Sequence, residues 1–287
     1  MAKTARIYTV QHLNQCIVDK LHIIRQLPFD VIVHVPRSGT IPASLIATYL
    51  IKPFCSVDEF CAGIVPTRKA EYDGLTRVLL VDDSLRTGSQ MAAAVERIKQ
   101  SGRATRIETL AVYSTIPVSP PVDKRIMEPT LYLHEHSDDY YIFPWFMWKT
   151  GRLRKAMVDV DGVLCRDCLP AEDDDGEAYA KFLATAEPRF KPYQCQIGTL
   201  VTGRLEKYRH QTQDWLQRHG IEYKQLVMGP WKNQQQRREH GAGRWKADIY
   251  RASPSPLFIE SSAKEAAIIH QHSGKTVWCV DTQEVLG

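Results

Sequence analysis

The 287-residue sequence has no apolar run near the ~20 residues that a helix needs to cross a bilayer, which excludes a helical membrane protein. Nor is there an apolar core behind its first residues. Met1-Ala-Lys-Thr-Ala-Arg6 is followed by polar residues, nothing there directs export, and a cytoplasmic protein without a membrane partner is expected. The seven cysteines follow no regular spacing, so free thiols in a reducing compartment are expected rather than a disulfide framework. Charge of one sign is also scarce. With 37 Lys and Arg against 33 Asp and Glu, the net charge is +4 and forms no long basic block, so anionic small substrates account for it as well as nucleic acid does. Internal repeats and low-complexity tracts are absent. The short biased stretches Asp173 to Glu177 and Gln234 to Arg238 read as solvated loops.

What is present is the grammar of an α/β protein, written twice. A helical pattern from Val10 to Leu27 leads to the β-rich run Val31 to Val35, then to a Gly-containing loop and a helix at Ala43 to Leu50. The pattern returns as a strand at Arg77 to Val81, a helix at Gln90 to Gln100 and a strand at Ile107 to Tyr113. An aromatic stretch, Tyr140 to Trp148, closes this half, and Lys149 to Lys155 reads as a short basic linker. Strands at 156–160, 197–201, 257–259 and 276–280 and helices at 207–219 and 263–272 follow. The length suits two domains of about 100 to 200 residues, with the division expected between residues 149 and 150.

The first chemical constellation is Val78-Leu-Leu-Val-Asp-Asp-Ser-Leu-Arg-Thr-Gly-Ser89. A buried strand delivers Asp82 and Asp83 to its carboxyl end, and a Ser/Thr/Gly turn leads into a helix whose first amides lack internal partners and can receive a phosphate. Gly88 permits close backbone approach. Two carboxylates ~4 Å apart repel by ~4 kcal/mol at an effective dielectric of ~20, so a sugar diol or Mg²⁺ is needed between them. An isolated Asp-Asp pair more commonly just ends a strand.

The whole string resembles the 5-phosphoribosyl-1-pyrophosphate (PRPP) motif of type I phosphoribosyltransferases. That resemblance implies that Asp82 and Asp83 hold the ribose hydroxyls and that Ser84, Arg86, Thr87, Gly88 and Ser89 cradle the 5′-phosphate. It also implies that the loop of Arg37, Ser38 and Gly39 takes pyrophosphate, a role that suits a guanidinium. A hood over Cys61 to Leu75, with Arg68, Lys69 and Tyr72, is implied as well. Tyr141 to Trp145 is similar to the base-holding end of some purine members, although Trp145 serves equally as a core residue.

The second constellation, Ala156-Met-Val-Asp-Val-Asp-Gly-Val-Leu164, places two acids two residues apart behind a strand. One carboxylate can attack phosphorus while the other protonates the leaving oxygen and then activates water, with Mg²⁺ offsetting the gathered charge. The run resembles the first motif of the haloacid-dehalogenase (HAD) superfamily. Further pieces resembling that superfamily follow in order: Ile197 to Arg204 with Thr202 and Gly203, Lys246 in preference to Lys232, and Pro256 to Ser262 with Glu260. The resemblance implies Asp159 as nucleophile, Asp161 as acid/base, Thr202 and Gly203 at the phosphate, Lys246 as neutralising cation, and Asp159, Asp161 and Glu260 around Mg²⁺. Ser261 departs from the pattern, since two adjacent acids are usual there. Residues 165–196 are too few for a large separate cap, leaving the site open or covered by the first domain. Cys165 and Cys168 read as ordinary thiols, and His134-Glu-His136 as strand and loop surface rather than a metal site.

The expected fold is α/β, with two Rossmann-like domains, each a mainly parallel sheet flanked by helices: phosphoribosyltransferase-like over 1–149, HAD-like over 150–287. The expected function is transfer of a phosphoribosyl group from PRPP to a nucleobase-like or other small acceptor, joined to Mg²⁺-dependent hydrolysis of a phosphorylated sugar or nucleotide. The two reactions could act in sequence. Two other readings stand beside it: a PRPP-sensing domain that regulates the phosphatase, and a phosphatase of nucleic-acid ends with a binding domain. A homo-oligomer is left open.

Overall fold

The computed structural model describes residues 5–66, 74–116, 126–137 and 140–287. In chain order the elements begin with β1 (Arg6–Ile7), α1 (Val10–Ile24), β2 (Val31–His34), α2 (Thr40–Leu50), β3 (Phe54–Ser56) and α3 (Val57–Cys61). Next come β4 (Arg77–Leu85), α4 (Ser89–Gln100), β5 (Arg106–Ile116), β6 (Leu131–Ser137), β7 (Tyr141–Ile142) and β8 (Met157–Val158). The remainder is α5 (Glu177–Thr185), β9 (Ile197–Leu205), α6 (Arg209–Arg218), β10 (Tyr223–Gly229), α7 (Gln234–His240), α8 (Ala242–Ala252), β11 (Phe258–Glu260), α9 (Ala263–Ser273), β12 (Val277–Cys279) and β13 (Val285–Leu286). No helix among the described residues is long and apolar enough to cross a membrane.

Contacts divide the chain into two compact units, Thr9–Asp138 and Met1–Tyr8 with Asp139–Gly287. The division thus differs from the one expected at 149/150, and the reason is burial. Strand β1 pairs in parallel with β7, and Ala5, Ile7, Tyr140, Ile142, Met147 and Leu153 enter the same apolar core as Val158 and Leu200. The basic segment expected as a linker is instead a 3-10 turn, Gly151–Lys155, with Leu153 fully buried and the Tyr140 hydroxyl donating to the Arg152 carbonyl at 2.6 Å.

In the unit Thr9–Asp138, five parallel strands are ordered β3-β2-β4-β5-β6. Val31, Ile32 and Val33 are fully buried, as are Val78 to Val81, because a parallel sheet covered on both faces needs continuous apolar strands. Each such side chain contributes roughly 1.5–3 kcal/mol of burial. Helix α1 starts where the Thr9 hydroxyl accepts from the His12 amide, and it buries Leu13, Cys16, Ile17 and Ile24 at helical spacing.

The second unit has a six-stranded sheet ordered β10-β9-β8-β11-β12-β13, parallel except for β13. Both units are therefore α/β, with mainly parallel sheets and helices between the strands. Parallel strands bring their carboxyl ends to one edge, and a crevice opens there where successive connections leave a strand in opposite directions. Those points lie between β2 and β4 in the first unit and between β8 and β11 in the second. Strand β4 continues through Asp82 and Asp83 to Leu85, paired with β5, and β9 through Thr202 to Leu205, paired with β10. Both are longer than their apolar runs suggested, since backbone pairing does not end where polar side chains begin.

Candidate active sites

In the first unit, β4 carries Asp82 and Asp83 into the interior, 6% and 2% exposed. The Asp83 amide donates to the Asp82 carboxylate at 2.9 Å, and the Ser84 hydroxyl donates to Asp83 at 3.3 Å. Burial first, then the Asp83 charge, push the Asp82 carboxyl well above the ordinary carboxylate range. A buried pair of adjacent carboxylates is suited to hydroxyl donors or a cation. Beyond it the Thr87 hydroxyl bonds the Ser89 hydroxyl and amide at 3.2 and 3.4 Å, and Gly88 adopts φ 78° at the start of α4. A Cβ on Gly88 would lie 2.5 Å from the Met127 carbonyl, so only glycine fits this turn. Asp82, Ser84, Arg86, Thr87, Gly88 and Ser89 line one cavity of about 240 Å³.

Arg37, Ser38 and Gly39 follow β2, beside the end of β4, where the Val35 amide donates to the Val81 carbonyl at 3.0 Å. Gly39 is required by space, since a Cβ there would meet the Val35 and Val81 carbonyl oxygens at 2.5 and 2.7 Å. The Pro36–Arg37 peptide bond is cis. Among the described residues, neither this loop nor Asp83 belongs to the cavity lining. Arg68, Lys69 and Tyr72, expected in a hood, lie outside the described residues. Tyr141 to Trp145, expected to hold a base, belongs to the second unit, where β7 pairs with β1 and Phe143 stacks on Trp145 at 4.9 Å.

In the second unit, four elements converge on a cavity of about 410 Å³: the turn after β8, with Asp159 and Asp161; Gly203 of β9; Lys246 of α8; and Glu260 of β11. The Lys246 ammonium, buried at 3% exposure, donates to Asp159 at 2.7 Å, Glu260 at 2.8 Å and Glu265 at 2.7 Å. These acids hold Lys246 far above the ordinary lysine range despite its burial. Asp159 is raised well above the carboxylate range, chiefly by burial, with Glu260, Asp161 and Glu265 adding repulsion that Lys246 only partly offsets. Asp167, across the same cavity, is raised by burial and then by Asp161, Asp281 and Glu260. The site thus carries excess negative charge.

Asp161 behaves differently from Asp159. Burial alone would raise it, but the fully buried Arg204 guanidinium donates to both of its oxygens, at 2.6 to 3.1 Å, and holds it below the ordinary range. Its carboxylate therefore sits with a guanidinium rather than beside Asp159 and Glu260, which bears on its expected place at the metal. Thr202, expected at the phosphate, is fully buried, and its hydroxyl accepts from the Arg204 amide at 3.2 Å; Gly203 is what reaches the cavity. Ser261 fills the place of a second acid. Its amide and that of Ser262 donate to Glu260 at 2.9 and 3.2 Å, which fixes that carboxylate.

Mg²⁺ is commonly held by one or two carboxylates and several waters. Asp159 and Glu260 supply hard oxygen donors in a cavity with uncompensated negative charge, so the residues present fit such an ion. Asp159, Asp161 and Glu260 do not close into a cage of three converging oxygens.

The residues that sequence reasoning missed are Arg204, Glu265, Asp173, Arg237 and Arg238. Asp173 and the two arginines sit in the stretches expected to be solvated loops, yet Gln234–His240 is helix α7. Arg237 and Arg238 each reach Asp173 at 3.2 Å on the cavity rim. Asn233 caps this helix, accepting from the Gln236 amide, and was the available signal. Arg204 stands directly behind Thr202-Gly203, but the number of its partners is visible only in three dimensions.

Both clusters thus lie at the carboxyl ends of mainly parallel sheets, one in each unit. No family model matches the chain, and no curated protein does. Among solved structures it is similar to phosphoribosyltransferases over about half its length. A purine phosphoribosyltransferase from Pyrococcus horikoshii is 22% identical with a TM-score of 0.37, covering 50% of this chain and 94% of that one. A xanthine-guanine-hypoxanthine phosphoribosyltransferase from Helicobacter pylori is 12% identical with a TM-score of 0.38, covering 50% and 94%. A hypoxanthine phosphoribosyltransferase from Staphylococcus aureus is 17% identical with a TM-score of 0.30, covering 45% and 74%.

Proposed function

We propose that this chain carries two activities: phosphoribosyl transfer from PRPP in the unit Thr9–Asp138, and Mg²⁺-dependent hydrolysis of a phosphomonoester in the other. The observation that carries the second is the Lys246 ammonium bridging Asp159 and Glu260 in a cavity that Asp161 also lines. Lys246 orients Asp159 and favours its carboxylate, the form that attacks phosphorus to give an aspartyl-phosphate, against the burial and neighbouring acids that raise it. The Gly203 backbone and the rim arginines Arg237 and Arg238 face the cavity where the ester's oxygens would lie. Asp161, kept ionised by Arg204, is a base ready to take a proton from the water that cleaves the acyl phosphate. A bound Mg²⁺, held by Asp159 and Glu260, would stabilise charge on the phosphoryl oxygens.

For the first unit the reading rests on the buried Asp82–Asp83 pair beside a Thr87-Gly88-Ser89 turn that opens a helix. The carboxylates would accept hydrogen bonds from the ribose hydroxyls, and the amides at the start of α4 would bind the 5′-phosphate. Arg37, in the loop after β2, would take the departing pyrophosphate. The acceptor is a nucleobase or another small nucleophile. Its product would be a ribosyl 5′-phosphate monoester, the chemical class that the second activity hydrolyses, so the two reactions can act in sequence.

Phosphorus NMR of the purified chain with PRPP, Mg²⁺ and a panel of bases tests both. Base-dependent pyrophosphate that vanishes in Asp83→Asn, and inorganic phosphate that vanishes in Asp159→Asn, are expected. PRPP that binds without base-dependent pyrophosphate would replace transfer by sensing. Phosphate release that survives Asp159→Asn would remove the aspartyl-phosphate.

A further inference from the structure

One cluster of metal-binding side chains lies outside both sites. Helix α1 presents His12 and Cys16 one turn apart, and the edge strand β6 presents His134 against them. Among the described residues, this is the one trio of His, Cys, Asp or Glu side chains whose donor atoms all lie within 4.8 Å of one another. Cys16 Sγ is 3.6 Å from His12 Nδ1. A tetrahedral zinc with bonds of ~2.3 Å to sulfur and ~2.0 Å to nitrogen sets that separation at about 3.6 Å. The His12 and His134 rings meet edge to face, with centroids 5.1 Å apart, so nitrogens from both can converge on one point. Both histidines are half-buried, which leaves a path for an ion, while Cys16 is 9% exposed.

We propose that His12, Cys16 and His134 form a binding site for a single zinc ion, clipping helix α1 to the edge strand β6, with a fourth position open to water. One thiolate and two imidazoles are a borderline-soft donor set that selects zinc or cobalt over Mg²⁺ and Ca²⁺. A cysteine thiol, with an ordinary pKa of ~8.5, is mostly protonated at neutral pH when no metal is bound. Binding therefore replaces the S–H bond by an S–Zn bond and releases one proton to solvent per ion. The Tyr113 hydroxyl, 2.9 Å from His12 Nδ1, positions that ring and competes with the metal for the same nitrogen. The inference rests on neither of the two activities proposed above.

Cobalt titration of the chelator-stripped full chain, with Mg²⁺ in excess to occupy the carboxylate site, is the test. Expected are one equivalent of bound Co²⁺ with a thiolate-to-cobalt charge-transfer absorption, displacement by Zn²⁺, and one proton released. The charge-transfer absorption should vanish in Cys16→Ser, and affinity should fall by more than about 100-fold in His134→Gln, beyond what loss of an outer-sphere partner costs. It should persist in Tyr113→Phe and in Cys168→Ser, the latter excluding the Cys168 thiol on the other cavity. Zinc-edge X-ray absorption of the wild type gives a readout independent of variant folding, with one sulfur and two imidazoles expected around the metal. Absence of the charge-transfer absorption, its survival in Cys16→Ser, its loss in Cys168→Ser, or a zinc shell without sulfur would each overturn the proposal.

Discussion

Replacing Lys246 by methionine removes one cation from among three carboxylates while keeping most of the side-chain volume. Lys246 and Glu260 are almost fully buried and Asp159 is 5% exposed, so the ammonium is the direct counter-charge for groups that cannot turn to water. Breaking a buried pair by removing one partner costs about 3–5 kcal/mol. For a unit of this size, about 2–4 °C per kcal/mol converts that into a fall in Tm of roughly 6–20 °C. The loss should depend on pH in a definite sense. Lys246 titrates far above neutrality in the folded state, so its stabilisation is complete throughout the neutral and acid range. Asp159 is held above its unfolded value, so the folded state binds more protons. Its cost is relieved as pH falls, and without Lys246 the relief is larger and sets in at higher pH. The variant should therefore recover part of its deficit between pH 8 and pH 5, and added Mg²⁺ should raise its Tm more than that of the wild type. All six tryptophans lie in this unit, at 145, 148, 215, 231, 245 and 278, so intrinsic fluorescence follows its unfolding without interference from the other. A Tm deficit below about 2 °C, or one that does not change with pH, would refute the view that Lys246 compensates buried negative charge.

Three further outcomes are expected. Arg204→Ala leaves Asp161 without its guanidinium, so unfolding measured by fluorescence should show a loss of about 3–5 kcal/mol. Asp161, now depressed, should rise toward or above the ordinary range and carry the acid limb of the phosphatase pH profile to higher pH, measured with p-nitrophenyl phosphate. Asp82→Asn should stabilise the unit Thr9–Asp138 while weakening PRPP by more than about 10-fold in calorimetry. Because Asp82 is raised, wild-type stability falls as pH climbs from about 4 toward the folded value, and asparagine removes that loss; amide exchange in β4 should show a gain of order 1 kcal/mol at neutral pH that is absent at pH 4. Gly88→Ala forces a side chain into φ 78° against the Met127 carbonyl, a strain of order 1–3 kcal/mol, and PRPP binding should fall with no change in phosphatase rate.

Much of this was legible in one dimension because it is local. The apolar runs at Val31 and Val78 announce strands covered on both faces, and Asp82-Asp83 and Asp159-x-Asp161 directly follow such runs, so chain order alone places them at sheet edges. Gly88 and Gly39 could be suspected from their motifs, although only coordinates show which carbonyl oxygens forbid a Cβ there. The rest depends on which distant segments meet. Residues 5–8 and 140–149 join the second unit because β1 and β7 pair and bury their apolar side chains there, a choice between two cores that neither segment encodes alone. The ionised state of Asp161 depends on Arg204, 43 residues away, and the anchoring of Lys246 on Asp159, 87 residues away. His134-Glu-His136 read as surface until β6 brought His134 beside His12 and Cys16, across more than a hundred residues of chain. Side-chain type and spacing thus declare what chemistry is available, because they set local conformation and reactivity. Burial and the identity of the partner decide charge state and counter-charge, and these arise only when the sheet edges close.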